Sequence, residues 1–294
     1  MFRKAAVILA SVSLVFALSA CGKSGGNALP TVSSPVYGTV PEISFPAGNP
    51  PKSVVMKVLD EGDGKGATVG ENDLVVVDYY GKVWGGALLP DSTITDATGP
   101  RAISLVDPPI EGWSSLKGAK TGQRVLLVVP PQQAYGDLGS ESIGVKKGDT
   151  LAYVVDIRST VSPDAASQFQ TTPTNNPLPA GVTVTASDKG AMIVDAKAAR
   201  AYPTKQETAV YAAGNGSAVA PGQSVVIKQV VANWGEASTP EAWTASKLSA
   251  TSASVLNLEN QPLGTIAVVL YPATPSSGPQ ATLVQILAAY DAGR

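Results

Sequence analysis

Histidine is absent from the 294 residues, and cysteine occurs once, as Cys21. Without histidine there is no triad of the Ser-His-Asp kind and no His-ligated zinc site. A lone cysteine cannot close a disulfide within the chain, even in an oxidising compartment. Charged residues make up only 15% of the sequence, the formal net charge is −2, and no basic run stands behind it. The electrostatic footprint of a nucleic-acid binder is therefore missing, and nucleic acid is set aside as a partner. No metal and no cofactor is expected. Long apolar runs are scarce too: the stretch Ala5 to Leu18 rises about 21 Å as a helix, short of a hydrocarbon core of about 30 Å.

What that stretch fits is a secretory signal, with Arg3 and Lys4 as the positive n-region and Ala5 to Leu18 as the apolar segment. Leu18-Ser19-Ala20-Cys21-Gly22 follows and resembles the lipobox cleaved before the cysteine in bacterial lipoproteins, where a thiol is needed to carry the lipid. The expectation is a signal peptide over 1–20, lipidation at Cys21, and a mature protein held to the extracytoplasmic face of the cell membrane. Loss of Arg3 and Lys4 leaves the mature chain more acidic, so lipid chains rather than charge would hold it to the membrane. With its thiol lipidated, Cys21 is lost to thiol catalysis.

The 44% apolar content is enough for a packed core, and the length suits two domains. Residues 21–53 are rich in Gly, Ser and Pro and read as a flexible tether. A similar stretch over 161–181 reads as a linker between segments 54–160 and 182–294. These segments look like copies of one another. Gly64 through Trp84 lines up without a gap on Gly214 through Trp234, Gly122 through Pro130 on Gly264 through Pro272, and Thr150-Leu151 on Thr282-Leu283. Leu74 to Tyr80, Arg124 to Val129 and Leu151 to Ile157 are β-branched, aromatic and leucine runs bounded by Gly, Pro and Asp, as strands are. One short helix is expected near Trp113 to Lys117. The fold class expected is α+β, a curved antiparallel sheet wrapped around a short helix, present twice.

The first segment resembles the FKBP-type peptidyl-prolyl cis-trans isomerases. The resemblance is carried by Val77-Asp78-Tyr79-Tyr80-Gly81, Asp91-Ser92-Thr93, Ile110-Glu111-Gly112-Trp113, Leu116 to Gly122, Val129-Pro130-Pro131-Gln132-Gln133-Ala134-Tyr135-Gly136, and Asp149 to Ile157, in the family's order. It implies an isomerase of X-Pro bonds whose substrates are X-Pro segments of exported proteins. Such a reaction needs neither nucleophile nor metal, because the barrier of about 18–20 kcal/mol is amide resonance and a dry aromatic cleft favours the twisted amide.

By the same resemblance Trp113 is the floor under the proline ring, with Tyr79, Ile110, Val145 and Tyr153 as walls and Leu89 beside them. The Ile110 N–H and the Tyr135 hydroxyl would donate to substrate carbonyls, and Asp91 would orient neighbouring groups or the twisted amide. Each aromatic also admits a plain packing role, and Asp-Ser-Thr is ordinary turn chemistry. Leu88-Leu89-Pro90 stands where the family commonly has an aromatic before Asp91, which points to a working but weaker isomerase. The second segment has Gln229 in the place of Tyr79 and Ser252 to Val255 in the place of Ile110 to Trp113, and reads as a copy without isomerase chemistry. The alternative function is a non-catalytic chaperone or binding lipoprotein on the same scaffold.

Overall fold

The computed structural model describes residues 29–95 and 99–292; Cys21 and the segment 1–20 lie outside the described residues. The chain is mostly β. Among the described residues the first element is a hairpin of β1 (Thr31–Ser33) and β2 (Glu42–Ser44), followed by β3 (Val55–Asp60), β4 (Leu74–Val83), β5 (Arg101–Ser104), β6 (Arg124–Val129) and β7 (Leu151–Val161). Beyond the short β8 (Thr172–Pro173) comes a second hairpin, β9 (Thr183–Ala186) and β10 (Met192–Asp195). The remainder is β11 (Glu207–Ala213), β12 (Gln223–Asn233), helix α1 (Pro240–Thr244), β13 (Ser249–Ser252), β14 (Ile266–Tyr271) and β15 (Gln280–Asp291).

The first sheet runs β3-β6-β7-β4-β5, all antiparallel. The second runs β11-β14-β15-β12-β13, the same order, with β8 added outside β11. Their irregularities also coincide. A bulge falls between Val76 and Val77 in β4 and between Val226 and Ile227 in β12, and another between Val58 and Asp60 in β3 and between Val210 and Ala212 in β11. The first two sequence blocks keep this register: Thr68 bridges Lys120, and Ala218 bridges Pro262. The third block does not. Leu151 pairs with Val129 as Gln280 pairs with Tyr271, so matching Leu151 to Leu283 is three residues out of register. The slip has a physical origin: β15 is buried on both faces, so apolar alternation does not fix which side is which.

Successive side chains of each strand divide between two cores. In the first sheet Val75, Val77, Val125, Leu127, Val129 and Val155 face the core that holds Trp113. Leu126, Val128, Ala152 and Val154 point the other way and are covered by Ile43 of β2. The segment expected to be a tether is thus, over its β1–β2 part, folded onto the first sheet. Arg124 fastens it: its guanidinium forms a two-pronged pair with Asp156 at 2.6 and 2.7 Å and donates to the carbonyls of Ser34 and Thr39 at 2.9 and 2.8 Å. Both partners are buried, and the two carbonyls from the turn complete the hydrogen bonding that a buried ion pair needs.

The second sheet is covered in the same fashion by β9, β10 and Trp243 of α1. What remains of the two outer faces packs together, Leu74, Val76 and Val161 against Val226, Leu248 and Leu287. Val76 pairs with Ala102 as Val226 pairs with Ala250, so equivalent positions meet across this seam. The stretch 161–181 contains the 3-10 helix Pro163–Gln168, and Phe169 packs into the seam, which ties this stretch to both sheets.

The helix expected near Trp113 is a 3-10 helix, Glu111–Leu116, shorter and tighter than an α-helix. It ends because Lys117 leaves the helical region, with ψ 130°, and Gly118 has φ +87°, turning the chain back toward β6. A Cβ on Gly112 would stand 2.4 Å from a Val129 methyl, so only glycine lets this helix lie directly on the sheet.

Candidate active site

The 3-10 helix brings Trp113 over the concave face of the first sheet, where it is 4% exposed. Tyr79 from β4 and Tyr153 from β7 stand beside it. The ring centroids are 5.4 Å apart for Tyr79–Trp113, 5.0 Å for Trp113–Tyr153 and 5.7 Å for Tyr79–Tyr153. The two contacts of Tyr79 are edge-on, the arrangement that ring quadrupoles favour. A Cβ on Gly81 would lie 2.8 Å from the Tyr153 ring and 2.9 Å from Leu89, so glycine at this position lets both side chains pass close to β4.

The Asp-Ser-Thr motif is placed by its own hydroxyls. Ser92 Oγ accepts from the Gly81 N–H at 3.0 Å, and Thr93 Oγ1 accepts from the Tyr79 N–H at 2.8 Å while donating to Asp78 at 3.1 Å. These bonds stitch the loop to β4 and carry Asp91 to the Tyr79 hydroxyl, which donates to its Oδ2 at 2.8 Å. Asp91 Oδ1 is buried and has no partner among the described residues.

Together these side chains enclose a cavity of about 250 Å³. Tyr79, Asp91, Trp113, Tyr135 and Tyr153 all line it. Leu89, Ile110 and Val145 are buried in the surrounding cluster and support the wall from behind. Ile110 is the extended residue before the 3-10 helix; the turn uses its carbonyl, which accepts from the Trp113 N–H at 3.2 Å. Its own N–H belongs to the group of helix-start donors that the helix leaves over.

Arg101, Ala102, Ile103 and Pro109 complete the lining; the resemblance sets Arg101 to Leu105 near the cleft, as a stretch without the family's usual Phe, but assigns none of them a role. Only β5 pairing with β4, through Val77 and Arg101, brings that strand to the cavity, and no local motif announces it. Burial pushes the Tyr79 hydroxyl well above the ordinary phenol value, and its bond to Asp91 acts the same way while Arg101 opposes it. Burial also raises Tyr135, helped by the Asp91 charge, and raises Tyr153. All three hydroxyls stay protonated donors through the neutral range.

The corresponding part of the second sheet is different. Strand register puts Gln229 in the place of Tyr79 and Thr282 in the place of Tyr153. Ala253 donates to the Gln223 carbonyl as Leu105 donates to that of Asp73, so the stretch Ser252 to Val255 matches the end of β5 and not Ile110 to Trp113. The core there is aliphatic, with Leu256 and Leu258 among its buried members.

Residues 65–158 match the family model of FKBP-type peptidyl-prolyl cis-trans isomerases. The FK506-binding protein of Streptomyces anulatus is 34% identical over 119 residues, which are 40% of this chain and 94% of that relative. This chain belongs to the FKBP-type peptidyl-prolyl cis-trans isomerase family. FkpA of Escherichia coli K12, named an FKBP-type peptidyl-prolyl cis-trans isomerase, is 34% identical over 95 residues, 32% of this chain and only 33% of its own length. The crystal structure of FkpA from Escherichia coli shares 32% identity over 36% of this chain and 47% of that one, with a TM-score of 0.32. The matched span contains every cavity-lining side chain of the site, so family and geometry fall on the same residues.

Proposed function

We propose that the first half of this chain isomerises X-Pro bonds of exported proteins on the outer face of the cell membrane, to which lipidated Cys21 holds it. The observation that carries the catalytic part is the cavity of Tyr79, Trp113 and Tyr153 with the Tyr79–Asp91 bond at its edge. The ground-state amide is planar and polar, and water stabilises it. As the bond twists, resonance is lost and the carbonyl oxygen needs less solvation. An apolar aromatic enclosure therefore penalises the planar amide more than the twisted one, which lowers the barrier.

The proline ring rests on Trp113. The Ile110 N–H and the Tyr135 hydroxyl hold flanking carbonyls, which fixes the peptide while one bond turns. Asp91 keeps Tyr79 upright and places a carboxylate beside the twisting amide. Leu89 contributes apolar wall without a flat face, and that favours a modest turnover.

The second sheet is a copy of the first that has lost this chemistry. Shared strand order and shared bulges support the copying, and Gln229, Thr282 and the aliphatic core support the loss. A binding protein without catalysis is the second reading, favoured by Leu89 in place of an aromatic. The test is the relaxation of a short X-Pro peptide after a solvent jump in the presence of the whole protein. Acceleration above the spontaneous rate supports the enzyme; binding without acceleration supports the alternative. Mass measurement of the mature N-terminal residue tests the anchor: a lipidated Cys21, absent in Cys21→Ser, is expected, and an unmodified N-terminus contradicts it.

A further inference from the structure

Lys228 is only 8% exposed; its ammonium lies over the Trp243 ring, 5.4 Å from its centroid, and feels the charge of the exposed Asp164 without an ion pair at contact distance among the described residues. It stands on the wall of a cavity of about 330 Å³ closed by the Pro163–Gln168 helix, the β9–β10 turn and α1, with Ile266 and Gln285 as its other sheet residues. A buried cation without an anion in contact is unusual, because loss of hydration is costly unless a partner restores it.

The first half shows how the same place is satisfied there. Strand pairing aligns Asp78, Asp156 and Arg124 in one row, and aligns Lys228, Gln285 and Ile266 in the equivalent row. In the first row the cation Arg124 is neutralised by Asp156 and covered by the β1–β2 turn, whose Ser34 and Thr39 carbonyls accept from it. In the second row the cation stands two strands over, as Lys228 in the place of Asp78, Ile266 takes the place of Arg124, the carboxylate Asp156 has become Gln285, and the β9–β10 turn leaves an opening where the first turn sits. The cavity therefore presents a buried positive group whose neighbour on the adjacent strand is the neutral Gln285, and its lining carboxylate, Asp164, is exposed.

From this we infer that the cavity is a binding site for a small organic carboxylate with an apolar body. The carboxylate pairs with Lys228 and the body lies against Trp243, Phe169 and Met192, all of which line the cavity. The volume is in the range of small-molecule sites, which combine apolar side chains with a few placed polar groups; here Trp243, Phe169, Met192 and Ile266 share the lining with Lys228 and Gln285. The other charged residues on the lining are Asp164 and Lys189, one of each sign and both exposed, so Lys228 sets the sign of the interior. Desolvation holds Lys228 below the ordinary lysine range, and the Asp164 charge opposes this only in part.

The test is calorimetric titration of the full chain with two carboxylates and their neutral amides: 4-phenylbutyrate against 4-phenylbutyramide, and N-acetyl-leucine against N-acetyl-leucinamide. Binding by either acid, weakened about tenfold or more in its amide, is expected, since a charged hydrogen bond is worth about that much. The two pairs distinguish a free metabolite from the C-terminus of a peptide. Lys228→Met should weaken the acid by the same factor, and Lys228→Arg should keep much of it. Equal binding of acid and amide, or no heat from either acid up to about 10 mM, would overturn the inference, and neither comparison needs a variant to fold. Equally strong competition by inorganic phosphate would also overturn it, because the apolar wall would then contribute nothing.

Discussion

Asp91 gives one carboxylate oxygen to the Tyr79 hydroxyl and keeps the other buried at the cavity, without a partner among the described residues. An unpaired buried oxygen costs roughly 1–3 kcal/mol, and its position at the cavity is the place where a substrate group can meet it. Tyr135 lies at the same edge with its hydroxyl kept protonated by burial and by the Asp91 charge. Tyr135→Phe removes one hydroxyl and almost no packing. Catalytic efficiency on an X-Pro peptide should fall by about fivefold, the loss of one hydrogen bond of about 1 kcal/mol; steady-state kinetics on the folded variant check it, and an unchanged rate would remove Tyr135 from the site. At this scale the sequence is informative because Asp91-Ser92-Thr93 and Ile110 to Trp113 are local: the hydroxyls of Ser92 and Thr93 and the absent side chain of Gly112 do their work within their own motifs. Arg101 is hard to place because only strand pairing brings it to the cavity, whereas Pro109 sits next to Ile110 of the motif.

At the scale of elements, the β1–β2 hairpin shows what composition conceals. The glycines and prolines of 29–53 suggest a tether, yet Gly38 and Gly48 serve turns with φ of +78° and +118°. The signal that marks the fold is small: Thr31-Val32-Ser33 and Glu42-Ile43-Ser44 each place one apolar residue between polar ones, the period of a strand with one buried side. Arg124 opens one strand run and Asp156 lies within another, and nothing local in the sequence tells that they meet. Asp156→Asn leaves the Arg124 charge buried with two carbonyls and a neutral amide. The change should lower unfolding free energy by about 3–5 kcal/mol in denaturant melts. A loss below about 1 kcal/mol would mean that the hairpin is held by Ile43 alone. The same reasoning places the natural start of the first folded unit at the hairpin and not at residue 54.

For the whole molecule, the seam between the sheets decides how the halves behave. Leu74, Val76, Val226 and Leu287 are buried there, and separating the sheets would expose them all to water. Leu287→Ala should cost about 2–5 kcal/mol and shift the unfolding of both halves together, as read by denaturation followed at several probes. Two separated transitions with only the second displaced would show that the halves fold independently. The shared strand order was legible in the first two aligned blocks, where Gly-bounded turns anchor the register. It was lost in the third, because β15 carries apolar residues on both sides and an odd slip leaves its pattern nearly unchanged. The seam itself could not be read, since residues buried against the other sheet look the same in sequence as residues buried in their own core.

The central claim is that Trp113 is a platform for the substrate proline and that all isomerase activity depends on it. Trp113→Leu in the full chain preserves apolar bulk and removes the flat surface. Its rate of X-Pro isomerisation should be measured beside the wild-type protein, with circular dichroism and melting to show that the variant is folded. The expected result is a folded protein with catalytic efficiency reduced by at least about tenfold, a transition-state loss of about 1.4 kcal/mol, and no residual activity attributable to the second half. A folded Trp113→Leu protein that isomerises at the wild-type rate would contradict it, and would move the chemistry elsewhere in the chain.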